Sequence, residues 1–275
     1  MLPRVTDEPE TWHHGLMALW WAQSEAEPDE LAYYRGAIER FGQPALDLGA
    51  GTGRILLPLL ATGLDVEGVD VSSDMLEQAR QAGISQGLSP VLHAQAFHAL
   101  DLPRRFRTIY SVDSFGIGAS RAQDLEALRR TFRHLEPGGA LVFSHDQPWA
   151  GVDELDWARW LPGRRTDLPR DWPAEPEKRM TAGGDALELL VRSVWFDPLQ
   201  QCRTIEMKAR LLREGSVIRE DRRSIRLNHY FAQELLQMLE AAGFSDVAVE
   251  GRYNGAPATP DDETLVFVAR HEAPA

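Results

Sequence analysis

The sequence predicts an α/β chain built on a doubly wound, mostly parallel sheet, with an antiparallel sheet inserted late. Three observations carry this. Between residues 44 and 145 short apolar runs alternate with amphipathic helical segments, the pattern of parallel strands covered on both faces. The first run ends in glycines, at Leu48-Gly49-Ala50-Gly51-Thr52-Gly53. After residue 145 the alternation stops, and three long strand-like segments follow with only tight turns between them.

Residues 11–40 read as two helices, Thr11 to Ser24 and Asp29 to Phe41, broken by Pro28; Asp29 and Glu30 suit a helix start. Ala45–Leu48 is a strand, and Arg54–Thr62 a helix closed by Gly63. Asp65–Asp70 is the second strand, after which Ser72 and Ser73 cap a helix to Ala82. Pro90–Ala94 and Phe106–Ser111 are the third and fourth strands. Ser120–Leu135 is a helix stopped by Pro137-Gly138-Gly139, ahead of a fifth strand at Ala140–Ser144. Residues 147–184 hold five prolines without a sustained period and read as irregular. Ala186–Phe196, Cys202–Arg213 and Ser216–Leu227 are antiparallel strands turned at Asp197-Pro198 and Glu214-Gly215. Ala232–Ala242 is a helix ended by Gly243, and Val247–Val249 and Leu265–Ala269 are a last pair of strands.

Composition narrows the function. The 275 residues are 43% apolar and 26% charged, ordinary for a globular chain, and no apolar run approaches the roughly 20 residues of a membrane span. A net charge of −13 is the wrong sign for a general nucleic-acid binder. One cysteine, Cys202, and an acidic, proline-bearing start predict a cytoplasmic protein without disulfides. The eight histidines lack ligand spacing, so no metal is expected. No G-x-S-x-G elbow supports acyl transfer. The arginines at 219, 222, 223 and 226 read as a solvated sheet face. Eight tryptophans fall only before residue 22 and after residue 148.

A strand running into glycines and then a helix lets backbone N–H groups approach a ligand closely. A dinucleotide site requires G-x-G-x-x-G, whereas here the glycines are G-x-G-x-G, and Arg54 stands where the third glycine belongs. Asp70, at the end of the second strand, is placed to accept hydrogen bonds from a ribose.

These residues resemble the class I S-adenosylmethionine-dependent methyltransferases, small-molecule type. Asp47-Leu48-Gly49-Ala50-Gly51-Thr52-Gly53 is similar to that family's first motif and Val69-Asp70-Val71-Ser72-Ser73-Asp74-Met75 to its second. Leu135-Glu136-Pro137-Gly138-Gly139-Ala140-Leu141-Val142-Phe143 is similar to its late helix–turn–strand signature. The resemblance spans roughly residues 40–145 and resumes over 232–270. It implies a Rossmann-like, seven-stranded sheet with an antiparallel last strand. It also implies S-adenosylmethionine as cofactor, with S-adenosylhomocysteine as its product. Asp47, Gly49, Ala50, Gly51 and Gly53 would hold the methionine end, Asp70 the ribose, and Val71 and Met75 the adenine. The next site matches Ala96-Phe97, where the family's usual acid is missing; Gln95 or a backbone carbonyl are the substitutes.

The implied domains are an N-terminal helical cap (1–40), a cofactor-binding core (41–146 and 231–275) and an inserted three-strand lid (147–230). The lid is similar to that of amino-sugar N-methyltransferases, where it can join two subunits; a homodimer through it is the corresponding expectation. The family places acceptors beyond the fourth and fifth strands, which marks His145, Asp113 and Asp146 as catalytic candidates, His145 as a base because its ordinary pKa is near neutral. Ser114 and Phe115, with Trp20, Trp21, Tyr33, Trp149 and Tyr230 as aromatic walls, are the substrate candidates. The expected function is methyl transfer to a small-molecule acceptor, without nucleic acid or membrane partners. The alternatives are an NAD(P)-dependent oxidoreductase and a non-catalytic cofactor-binding protein.

Overall fold

The computed structural model describes residues 11–151 and 154–272. In chain order its strands are β1 (Ala45–Leu48), β2 (Val66–Asp70), β3 (Val91–Ala94), β4 (Phe106–Ser111), β5 (Leu135–Asp146), β6 (Glu177–Met180), β7 (Ala186–Asp197), β8 (Cys202–Arg213), β9 (Ser216–Asn228), β10 (Asp246–Gly251) and β11 (Thr264–Arg270). The helices are α1 (Leu16–Trp21), α2 (Pro28–Phe41), α3 (Leu56–Ala61), α4 (Ser73–Ser85), α5 (Arg121–His134), α6 (Glu154–Ala158) and α7 (Ala232–Ala242). Seven strands form one sheet in the order β10-β11-β5-β4-β1-β2-β3. β1 to β5 pair in parallel, and β11 runs antiparallel to both β5 and β10. This is a Rossmann-like sheet.

β1 is apolar without alternation, apart from Asp47, because it is buried along its whole length between β2 and β4. One face is covered by α2 and α3, whose Tyr34, Ile38, Phe41, Leu56 and Leu59 pack with Tyr110 and Val142. The other is covered by α5 and α7, through Leu128, Leu235 and Leu239 against Ile109, Phe143 and Phe267. Ser72 caps α4, its Oγ accepting from Met75 N–H at 3.2 Å, and Ser120 and Gln123 form a capping box on α5.

The second sheet has four antiparallel strands, β6-β7-β8-β9, not three. β6, Glu-Lys-Arg-Met, is largely exposed at the edge and has no apolar alternation, so only its partner β7 reveals it. With α6, it lies within the stretch expected to be irregular. Three other expectations are corrected. The first helix covers Leu16–Trp21 only, because Gly15 takes a φ of 57° and leaves residues 11–15 outside it. The third helix starts at Leu56, not Arg54. β5 begins at Leu135, because a register shift opposite Phe106–Thr108 absorbs the Pro-Gly-Gly turn into the ladder.

Two contacts set the second sheet over the ends of β4 and β5. Leu16, Met17 and Trp20 of α1 pack with Leu187, Leu189, Ile205, Met207 and Ile225. At the far end of β9, Ile117 bridges Leu227, Gly118 N–H donates to the Arg226 carbonyl, and Asn228 N–H donates to the Gly116 carbonyl, both at 2.8 Å. The junction is braced by a buried carboxylate. Asp124 Oδ2 accepts from Tyr230 Oη at 2.6 Å and from Asn228 Nδ2 at 2.7 Å. Asp124→Ala strands the Tyr230 hydroxyl and is expected to cost about 2–4 kcal/mol. Asp124→Asn, which keeps an acceptor oxygen, should cost less. Urea denaturation followed by circular dichroism reads both.

Candidate functional site

The loop after β1 holds three glycines in left-handed backbone, with φ of 92° at Gly49, 54° at Gly51 and 83° at Gly53. Space is short as well: a Cβ on Gly49 would lie 2.4 Å from Ser114 Oγ, and one on Gly53 2.8 Å from Leu57 Cγ. Gly49 and Ala50 N–H groups donate to the Val69 carbonyl at 2.8 and 2.9 Å. Gly51 N–H donates to Asp70 Oδ2 at 3.0 Å, and Ser72 N–H to Asp70 Oδ1 at 2.8 Å. Asp70 thus clamps the loop to the end of β2, and each of its oxygens keeps a second acceptor position. Burial raises its pKa, while the backbone donors act against that rise.

A cavity of about 750 Å³ opens on this loop, within the range of small-molecule sites. Gly49, Ala50, Gly51, Asp70 and Met75 line it, together with Asp113, Ser114 and Asp146 from the ends of β4 and β5. A smaller pocket shares Gly49, Asp70 and Ser114 and continues along Val71, Ala96 and Phe97. A third, of about 170 Å³, shares Asp113 and Asp146 and adds Phe115, His145 and His229. Among the described residues the main cavity is acidic: Glu25, Glu27, Glu30, Asp70, Asp113 and Asp146 face only Arg54, Arg203 and Arg252. Arg54 is already paired with Glu30.

Asp113 sits at φ 49°, a left-handed conformation that costs energy outside glycine. It is held there by a reciprocal pair: its N–H donates to Ser144 Oγ at 3.0 Å, and Ser144 Oγ donates to Asp113 Oδ1 at 2.7 Å. Burial raises the Asp113 pKa. Tyr253, at φ 48°, also lines the main cavity. The other two non-glycine residues with positive φ among the described residues, Gln201 and Glu214, lie at hairpin turns. Asp146 accepts from Thr264 Oγ1 at 2.6 Å. His145 is buried, and burial lowers its pKa to about 4 against the opposing charge of Asp146. Its imidazole is therefore neutral at pH 7 and a weaker base than its ordinary value suggests.

Several expected site residues lie elsewhere. Asp47 is buried beneath the loop, off the cavity wall. Trp20 is buried in the contact of α1 with the second sheet, under Arg179. Tyr33 donates to Glu250 at 2.5 Å. Tyr230 braces the fold through Asp124 and packs on Phe115 and His145. Trp149 packs on Trp157 and Phe231. None of the last four lines the cavities above, whereas Trp21 does. Gln95 is turned onto the Asp101 backbone, and the wall beside Ala96 is completed by His98 and Gln123. His13, Tyr253 and Arg203 also line the site without having been singled out. An extended strap, a loop and a strand end carry them, and no local periodicity points to any of the three.

Residues 45–139 match the methyltransferase domain family. Over 242 residues, 84% of each chain, the protein is 26% identical to a cypemycin N-terminal methyltransferase from a Streptomyces species. An uncharacterised protein of Mycobacterium tuberculosis is 32% identical over 141 residues; that match spans 50% of this chain and 45% of the relative, so just under half of its length is matched. An S-adenosylmethionine-dependent methyltransferase from Clostridium acetobutylicum superposes with a TM-score of 0.68 at 15% identity, covering 94% of this chain and 98% of that one. A sugar N-methyltransferase from Streptoalloteichus gives 0.66 at 22% identity, covering 98% of each. The fold is that of S-adenosylmethionine-dependent methyltransferases, and over residues 45–139 the sequence is similar to the methyltransferase domain. Among the described residues no helix is long and apolar enough to cross a membrane.

Proposed function

We propose that the protein is an S-adenosylmethionine-dependent methyltransferase acting on an amine of a small-molecule acceptor. The observation that carries this is the Asp70 clamp on the left-handed glycine loop, opening on an acidic cavity. That wall fits a nucleoside joined to a cationic head. Asp70 has acceptor positions left for ribose hydroxyls, and Val71, Ala96 and Phe97 offer an apolar slot for adenine, with His98 and Gln123 at its polar edge. Gly49, Ala50 and Gly51 hold the methionine end above Asp47, whereas Gly53, packed on Leu57 and Ala79, lies off the cavity wall and shapes the turn. The same wall is unfavourable for a dinucleotide pyrophosphate, because Arg54, beside the loop, is neutralised by Glu30.

When bound, S-adenosylmethionine supplies a methyl group activated on a sulfonium, and its transfer is an in-line displacement that needs mainly positioning and exclusion of water. Asp113 and Asp146, at the ends of β4 and β5, attract and orient a cationic amine. Asp113, whose basicity burial raises, accepts a proton on the carboxylate oxygen that Ser144 does not occupy. His145, neutral, hydrogen-bonds rather than acting as the main base. The acidic balance and the likeness to a protein described as a sugar N-methyltransferase support nitrogen as the acceptor atom. For this division of labour we propose domains at 1–40, 41–146 with 231–275, and 147–230, with the second sheet as the route to a homodimer.

Calorimetry with S-adenosylmethionine and S-adenosylhomocysteine is expected to show binding of both. Mass spectrometry of an amine panel incubated with the full chain and S-adenosylmethionine is expected to show methylated product. Absence of binding by either ligand overturns the proposal.

A further inference from the structure

The arginines of the second sheet are mostly neutralised. Arg192 and Arg222 pair with Glu206, Arg210 with Glu220, Arg213 with Asp185 and Arg219 with Asp221. Arg203 differs. It begins the inward row Arg203, Ile205, Met207, Ala209 on β8, whose other members are buried against α1 and its neighbours. Among the described residues its guanidinium has no ion-pair partner, and its Nε is buried without an acceptor. The charge acting on it is Arg159, of like sign and itself paired with Asp156 and Asp167. A cation kept from water without a counter-charge is costly to the fold, so its retention on a cavity wall calls for a ligand.

The cavity supplies a second donor. His229 lines the same 170 Å³ pocket, and its Nε2 is buried with no partner. Burial and the charge of Arg203 lower its pKa to about 3, so the ring is neutral and has a proton to donate on one nitrogen. Both side chains share this pocket with Asp113 and Asp146, and Arg203 extends onto the main cavity wall.

We propose that Arg203 and His229 bind a carboxylate carried by the methyl acceptor, making the acceptor an amino-acid-like molecule with its nitrogen toward Asp113 and Asp146. This rests on the methyltransferase proposal above. A planar guanidinium fork matches a carboxylate in shape and charge. One guanidinium and one neutral imidazole, with two carboxylates in the same pocket, suit a monoanion and poorly suit a phosphoryl dianion.

The test is calorimetric titration of benzoate and of its neutral isostere benzamide into the full chain without cofactor. Benzoate is expected to bind about tenfold or more tightly than benzamide. Arg203→Met should abolish the preference, and Arg203→Lys should retain part of it. Equal affinities in the unmodified protein overturn the inference, even if no variant folds. So does an undiminished preference in an Arg203→Met variant with unchanged melting temperature. Inorganic phosphate displacing benzoate more effectively than acetate does would overturn the carboxylate assignment in favour of a phosphorylated acceptor. A parallel titration with S-adenosylhomocysteine separates the two proposals. Its failure refutes the methyltransferase proposal, whereas benzoate failing while it binds refutes this inference alone.

Discussion

Asp70→Ala is expected to weaken S-adenosylmethionine binding by about 100- to 1,000-fold while the chain stays folded. The carboxylate does two things at once. It holds the glycine loop, through Gly51 N–H on one oxygen and Ser72 N–H on the other, and its remaining acceptor positions face the cavity. Hydrogen bonds to a charged acceptor contribute about 1.5–3 kcal/mol each, so losing two ribose contacts at the lower end of that range, about 3–4 kcal/mol together, gives the expected loss. Releasing Gly51 adds to the loss, because the loop's backbone donors no longer stand in place. The fold should survive, since burial opposes the ionised form of Asp70 and truncation removes that penalty together with the bonds. Asp70→Asn keeps one acceptor oxygen and should lose closer to tenfold. Calorimetry gives the affinities and thermal melting checks the fold. An Asp70→Ala protein binding within threefold of the parent would show that the ribose lies elsewhere.

The parallel sheet was legible because its signals are local. The Gly49–Gly53 spacing, the Ser72 and Ser120 caps and the unbroken apolar strands each express a backbone requirement that few residue types satisfy. The second sheet was legible only where its strands alternate; β6 has no inward apolar row of its own and exists through its pairing with β7. The cavity walls were partly hidden for the same kind of reason. Trp20 fastens α1 to the second sheet rather than facing a ligand, and an indole gives no sign in sequence of which surface it covers. Tyr230 has its hydroxyl on Asp124, 106 residues away in the chain, a partnership no spacing rule reveals. Asp113 was reachable as a strand-end acid, but its strained backbone and Ser144 partner belong to the folded state. His145 shows the reverse case: burial removes the basicity that made it attractive.

Affinity for S-adenosylmethionine is expected to rise with pH between 5 and 7, and Asp47 is expected to cause most of the rise. Asp47 is the one charged side chain on β1, opposite Tyr110 in the ladder and shielded from water. Burial raises its pKa to about 7, assisted by the charges of Asp70 and Glu30 and opposed by Tyr110 and Arg54. A folded pKa above the ordinary carboxylate value means that Asp47 favours the folded chain at low pH, and that this contribution is lost as pH rises through about 7. A cation bound over the loop reverses the balance by favouring the ionised carboxylate. The complex then holds fewer protons than the free protein, so binding releases a proton and tightens as pH rises, by up to about tenfold per unit below pH 7. Between pH 5 and pH 7 a gain of about tenfold or more is expected, with proton release visible as a dependence of the binding heat on buffer ionisation enthalpy. In Asp47→Asn the affinity at pH 7 should fall and most of the pH dependence should vanish, leaving the smaller share of Asp70 and Asp113, whose pKa values burial also raises. Parallel pH profiles for the two proteins would place the cofactor's charged end away from Asp47.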